Sequence, residues 1–129
     1  MTPLTQEWID KAEGDWGTAS REIRVRNNPN YDAVCFHTQQ CAEKYLKGFL
    51  QNAGIAFPKT HDLLNLLNLI LPIEPGFARL LNELTVLMTF AVDSRYPNFS
   101  ATKIEAKEAV KHCRLVRTIV RQSFNLPLK

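Results

Sequence analysis

Three short segments hold more polar and ionisable side chains than packing requires: Gln39-Gln40-Cys41-Ala42-Glu43-Lys44-Tyr45-Leu46-Lys47, Lys59-Thr60-His61-Asp62-Leu63, and Asp93-Ser94-Arg95-Tyr96-Pro97. In the first, Glu43 lies one helical turn before Lys47, a pair worth about 0.2–0.5 kcal/mol on a solvated helix. With Lys44 these residues form either a solvated face or a polar groove for phosphate or a partner protein. In the second, Thr60 is expected to cap a helix. A helix N-terminus attracts anions, so Lys59 and His61 beside it could hold a phosphate; the plainer reading is a loop histidine packed on a neighbouring helix. In the third, Pro97 drives Tyr96 out of helical geometry and gives Arg95 and Tyr96 a set exit angle. That suits stacking on a base and contacting a phosphate. The alternative is a structural ion pair from Asp93 to Arg95, or to a lysine of the second segment, that closes the loop.

A further row, Lys103, Lys107, Lys111, Arg114 and Arg121 with Arg117 beside it, follows helical spacing near the end of the chain. It reads as a solvated face or as an electrostatic surface for RNA or an acidic partner. No nucleophile elbow, glycine-rich phosphate loop, HExxH or paired-carboxylate motif occurs, which argues against a conventional hydrolase, kinase or nucleotide-dependent oxidoreductase. Cys35, Cys41 and Cys113 lack CxxC spacing, so neither a disulfide framework nor a zinc site is expected, and no metal ligand or cofactor is called.

These groups must be positioned by helices. The 129 residues are 45% hydrophobic and 22% charged with a net charge of +3, ordinary values for one globular domain spanning the whole chain, 1–129. The N-terminus lacks a signal peptide's features, and the leucine-rich run Leu63–Leu71 is interrupted by Asn65 and Asn68. That run falls far short of the roughly 20 apolar residues of a membrane span. A cytoplasmic protein with buried reduced thiols is expected.

Breakers at Asn27–Asn30, Gly54–Pro58, Pro72–Gly76 and Pro97–Asn98 divide the chain into five segments of helical periodicity. The first runs from Thr5 to Arg26, with Trp8, Ala12, Trp16, Ala19 and Ile23 as its stripe; Gly14 and Gly17 could be points of close helix approach. The second runs from Tyr31 to Asn52. It sets an apolar face against Gln40, Glu43, Lys44, Lys47 and Gln51, with Gln39 at the rim, where burial would demand a partner. The third, His61–Leu71, carries a polar strip of Asp62, Asn65 and Asn68. The fourth spans Pro75–Val92. The fifth spans Thr102–Phe124 and opens with the capping box Thr102-Lys103-Ile104-Glu105. This predicts an all-α, up-and-down four-helix bundle with a short helix between the second and third long ones.

In order along the chain, Ala12-Glu13-Gly14-Asp15-Trp16, then Tyr31–Phe36 leading into Gln39–Lys47, then Phe57–Leu63, then Asp93–Pro97 resemble the signatures of HEPN domains of the single-domain prokaryotic type. The resemblance implies an all-α bundle, a homodimer, and a role in nucleotide or RNA binding. It also implies action as a ribonuclease toxin or as the toxin–antitoxin partner of a minimal nucleotidyltransferase. Active members carry an Arg followed a few residues on by a His. Arg95 is the matching arginine, but Ser100, Ala101 and Thr102 stand where the histidine would be, and no other Arg has a His at that spacing. The general acid or base of phosphodiester cleavage is therefore missing from its usual place. The expectation is a non-cleaving module that binds a nucleotide, RNA or a nucleotidyltransferase. Arg95 and Tyr96 would be the ligand contacts, Lys44, Lys47, Lys59 and His61 secondary anion contacts, and Asp93, Glu43 and Gln39 orienting groups, all converging around Arg95. The alternatives are a metal-independent ribonuclease using Arg95 with His61, and a purely structural interaction module.

Overall fold

The computed structural model describes residues 1–129 and is all-helical: α1 (Pro3–Glu22), α2 (Tyr31–Ala53), α3 (Leu63–Ile70), a 3₁₀ turn (Pro75–Leu80), α4 (Leu81–Asp93) and α5 (Lys103–Ser123). Local chemistry sets most of the ends. Thr2 and Asn30 cap α1 and α2 by accepting from the N–H groups of Thr5 and Ala33. Gly54 closes α2 with a left-handed φ of 72°, a conformation that glycine adopts without a Cβ clash. The Thr102–Glu105 capping box forms as expected. The cap of α3 is Asp62 and not Thr60: Asp62 Oδ1 accepts from Leu64 N at 3.0 Å and Asn65 N at 3.1 Å, while Thr60 accepts only from Asp62 N.

The fourth segment divides. Pro75 starts a 3₁₀ turn whose i, i+3 eclipse directs both Phe77 and Leu80 into the core before α4 begins. α1, α2, α4 and α5 run up and down. α2 lies at the centre, packed against every other α-helix, and supplies Tyr45, Leu46 and Leu50 to the core cluster. Phe49 bridges to Phe77 and Phe124 at centroid distances of 4.8 and 6.2 Å.

The buried stripe of α1 is Thr5, Ile9, Ala12, Asp15 and Ala19, rotated from the tryptophan-centred stripe; Trp8, Trp16 and Ile23 lie half-buried along its edges. Gly14 and Gly17 do not mark a close approach. A Cβ at Gly14 would meet nothing within 4 Å, and one at Gly17 only the chain's own Arg21. The close approach is at Gly48 of α2, where a Cβ would lie 3.0 Å from Ile9 Cδ1 and 3.3 Å from Trp8 Cβ. No helix is long and apolar enough to cross a membrane.

Candidate functional site

Because α2 is surrounded, its polar residues could not all face water. Glu43 and Lys47, the expected solvated pair, are buried at 3% and 7% exposure. Glu43 Oε2 meets Lys47 Nζ at 2.9 Å, and Glu43 Oε1 meets His61 Nδ1 at 2.8 Å. Gln39 is also buried and finds its partners. Its amide donates to the His61 carbonyl at 3.1 Å and to Glu43 at 3.3 Å, and its oxygen accepts from Gln40 at 2.8 Å. Lys47 also lies 5.6 Å from the Trp8 ring centroid. A surface pair of this spacing is worth a few tenths of a kcal/mol, whereas removing one partner of a buried pair costs about 3–5 kcal/mol.

The imidazole of His61 is different: its side chain is 67% exposed while the Glu43 side chain beneath it is 4% exposed. With Nδ1 engaged by Glu43 Oε1, the other ring nitrogen, Nε2, has no partner within the chain. A buried carboxylate orienting an exposed imidazole can pass a proton to or from a ligand.

Two more networks tie α1 to its neighbours. Asp15 holds His37 Nδ1 at 2.8 Å and Lys44 Nζ at 2.5 Å. Glu13 takes a two-pronged contact from Arg117, 2.7 Å at both Nε and Nη2, and a hydrogen bond from the Tyr45 hydroxyl. Arg121 donates to Tyr45 at 3.1 Å, and Arg117 and Arg121 also bind the carbonyls of Leu128 and Pro127. Arg117 and Arg121 therefore leave the expected basic row and turn inward; Lys103, Lys107, Lys111 and Arg114 stay exposed. Burial opposes ionisation of Glu13, but the hydrogen bonds from Arg117 and Tyr45 and the charges of Arg117 and Arg121 outweigh it, holding its carboxyl below the ordinary 4.5. Burial pushes Tyr45 up, reinforced by its bond to Glu13.

Arg95 and Tyr96 lie elsewhere. Both are exposed, Tyr96 by 64%, and neither side chain forms a hydrogen bond or ion pair; Asp93 is half-buried and pairs with neither Arg95 nor a lysine of α2. Two tight backbone closures, Tyr96 N to Asp93 O and Phe99 N to Tyr96 O, shape the loop. Asp32 in the first turn of α2 anchors its far end by accepting from Ala101 N at 2.7 Å. Helix rise from Asp32 to Glu43 is about 16 Å, at about 1.5 Å per residue. The first two segments meet through Glu43 and His61, whereas no hydrogen bond or ion pair joins Arg95 or Tyr96 to them, and the end of the third segment's loop is tied to the first turn of α2. Lys59 is exposed on the loop before His61, while the ammonium groups of Lys44 and Lys47 are already held by carboxylates.

One histidine escaped the sequence reading. His112 lies 3.4 Å from both Glu83 of α4 and Glu108 of its own helix, beside a groove of about 550 Å³ that Lys111 and Arg114 also line. The Glu108–His112 spacing was its visible signal; Glu83 was not foreseeable. No group of three or more His, Cys, Asp and Glu side chains is arranged to hold a metal. All three thiols are free and buried. Burial, with the nearby Glu105 and Asp32 charges, pushes Cys35 up to about 12, and burial with a hydrogen bond involving Cys113 raises Cys41 well above its ordinary value. Neither supplies a thiolate nucleophile at neutral pH.

The fold can be set beside known proteins. The crystal structure of TT1696 from Thermus thermophilus superposes with a TM-score of 0.80 at 25% identity, covering 94% of this chain and 98% of that one. The structure of ST0689, described as an archaeal HEPN homologue, gives a TM-score of 0.72 at 28% identity over 97% and 98% of the two chains. No curated protein sequence matches. The family model described as HEPN domain matches residues 5–123, nearly the whole chain, so this protein belongs to the HEPN domain family.

Proposed function

We propose that this chain is a HEPN-type binding module that engages RNA or a nucleotide, or docks on a nucleotidyltransferase, through Arg95 and Tyr96 rather than cutting RNA with the family's usual Arg and His pair. The observation that carries this reading is the presentation of a guanidinium and a phenol ring on one shaped, anchored loop, both exposed and neither engaged within the chain. Lys59 and His61 are exposed and suited to secondary anion contacts. Lys44 and Lys47 would first have to leave Asp15 and Glu43, so they act by holding the α1–α2 contact and the Glu43 carboxylate in place. Glu43 and Gln39 orient His61, and Asp93 shapes the backbone turn that carries Arg95.

A second reading, metal-independent ribonuclease action by His61, is favoured by one observation: the buried Glu43 carboxylate behind an exposed imidazole. One experiment separates the two. Labelled single-stranded RNA is titrated with purified protein in chelator, following both anisotropy and strand length. The binding reading expects intact RNA, retained by the wild type and released at least tenfold more easily by Arg95→Ala/Tyr96→Ala. Cleavage abolished by His61→Ala would establish the ribonuclease instead. Unchanged binding by the Arg95→Ala/Tyr96→Ala protein would remove those residues from the site. Assembly as a homodimer belongs to the same proposal, with the outward face of α4 as its contact surface.

A further inference from the structure

At the end of the bundle where α1 finishes and α2 and α5 begin, a pocket of about 410 Å³ is lined by Arg24, Arg26, Lys103 and Lys107, with Tyr31 among its apolar walls. No carboxylate lines it, and none of its four cations forms an ion pair. This is unlike the chain's interior, where Lys44, Lys47, Arg117 and Arg121 all meet carboxylates. The acids nearest in the chain are engaged by backbone N–H groups: Glu22 by Asn30, Asp32 by Ala101, and Glu105 by Thr102. Those bonds fix the walls of the pocket. Lys103 and Lys107 are one turn apart on α5 and repel each other mildly, a repulsion that an anion between or beside them would offset.

We propose that this pocket binds the phosphodiester backbone of single-stranded RNA, with Tyr31 as a stacking surface for a base. The inference rests on the reading of this chain as a nucleic-acid-binding module and adds a site to it. A volume of this size accepts a nucleotide-sized group but not a duplex, and cations interleaved with an aromatic are how single strands are gripped without sequence preference. The Asp32–Ala101 bond joins the base of the Arg95–Tyr96 loop to α2 one residue from Tyr31, which ties the end of that loop to the element that carries a wall of the pocket.

The test is the salt dependence of binding of a labelled single-stranded RNA oligonucleotide. Each phosphate contact contributes about 0.7 to the slope of log K against log salt for single strands. Lys103→Ala/Lys107→Ala is expected to lower the slope by about 1.4 and to weaken binding at low salt at least tenfold. Arg24→Ala/Arg26→Ala should do the same. All four residues are exposed, so helicity and melting by circular dichroism should match the wild type. Wild-type slopes in both double variants would overturn the proposal, as would displacement of the RNA by pyrophosphate as complete as by unlabelled RNA. Arg95→Ala/Tyr96→Ala is measured alongside. If it alone is inert while the pocket variants lose slope, the loop assignment fails and the pocket stands. If it alone matters, the pocket falls and the loop assignment stands.

Discussion

At the level of single residues, the decisive feature is that carboxylates of α1 and α2 organise the interior. Glu13 shows how this becomes measurable. Arg117, Tyr45 and Arg121 converge on it and hold its carboxyl below the ordinary 4.5. A folded-state value lower than the unfolded one means stabilisation that is complete above the ordinary carboxylate range and is lost as pH falls through the depressed value. Glu13→Gln should therefore melt below the wild type at pH 7, with the gap closing as pH falls below about 4.5. A gap constant from pH 7 to pH 3, followed by thermal denaturation, would show that the charge of Glu13 is not what matters. The sequence pointed to Glu43, Lys47 and His61 as chemically unusual, and they do meet. It said nothing of Glu13 with Arg117, because residues so far apart in the chain leave no local pattern when they pair.

At the level of elements, helix ends were more legible than helix faces. The capping box of α5 was visible because both of its partners are local. The start of α3 was misplaced by two residues because Thr60 and Asp62 are both competent caps, and only the backbone path decides which one meets free N–H groups. Asp62→Ala is expected to cost about 1 kcal/mol in urea denaturation and Thr60→Ala less, since Asp62 serves two helix donors and Thr60 none. The reverse order would restore Thr60 as the cap. The 3₁₀ turn at Pro75–Leu80 was read as helix because Phe77 and Leu80, three residues apart, fit either helical period over so short a span.

For the whole molecule, the outward face of α4 is solvent-exposed. Leu81 and Val92 are 55% and 45% exposed at its ends. Between them the hydroxyls of Thr85 and Thr89 bond back to the carbonyls of Leu81 and Thr85 at 2.8 and 2.9 Å. With their hydroxyls satisfied within the helix, these two exposed threonines add little polarity to the stripe. The homodimer proposed above would bury it. Sedimentation equilibrium should give twice 14.7 kDa for the wild type and 14.7 kDa for Thr85→Lys/Thr89→Lys. A dimer undisturbed by both lysines would place the contact on another face.

By itself the sequence determined the helical class, the five segments, the α5 capping box and the family signatures, because each is written in spacing within one stretch of chain. Only the tertiary structure decided which side of α2 meets water. A helix surrounded by neighbours keeps an amphipathic pattern on paper, yet its charged side is buried as soon as other elements bring counter-charges to it. That is why Glu43 and Lys47 changed from a solvated pair into the buried support of His61, and why Arg95 and Tyr96 were left apart, on an exposed loop anchored to the other end of the helix.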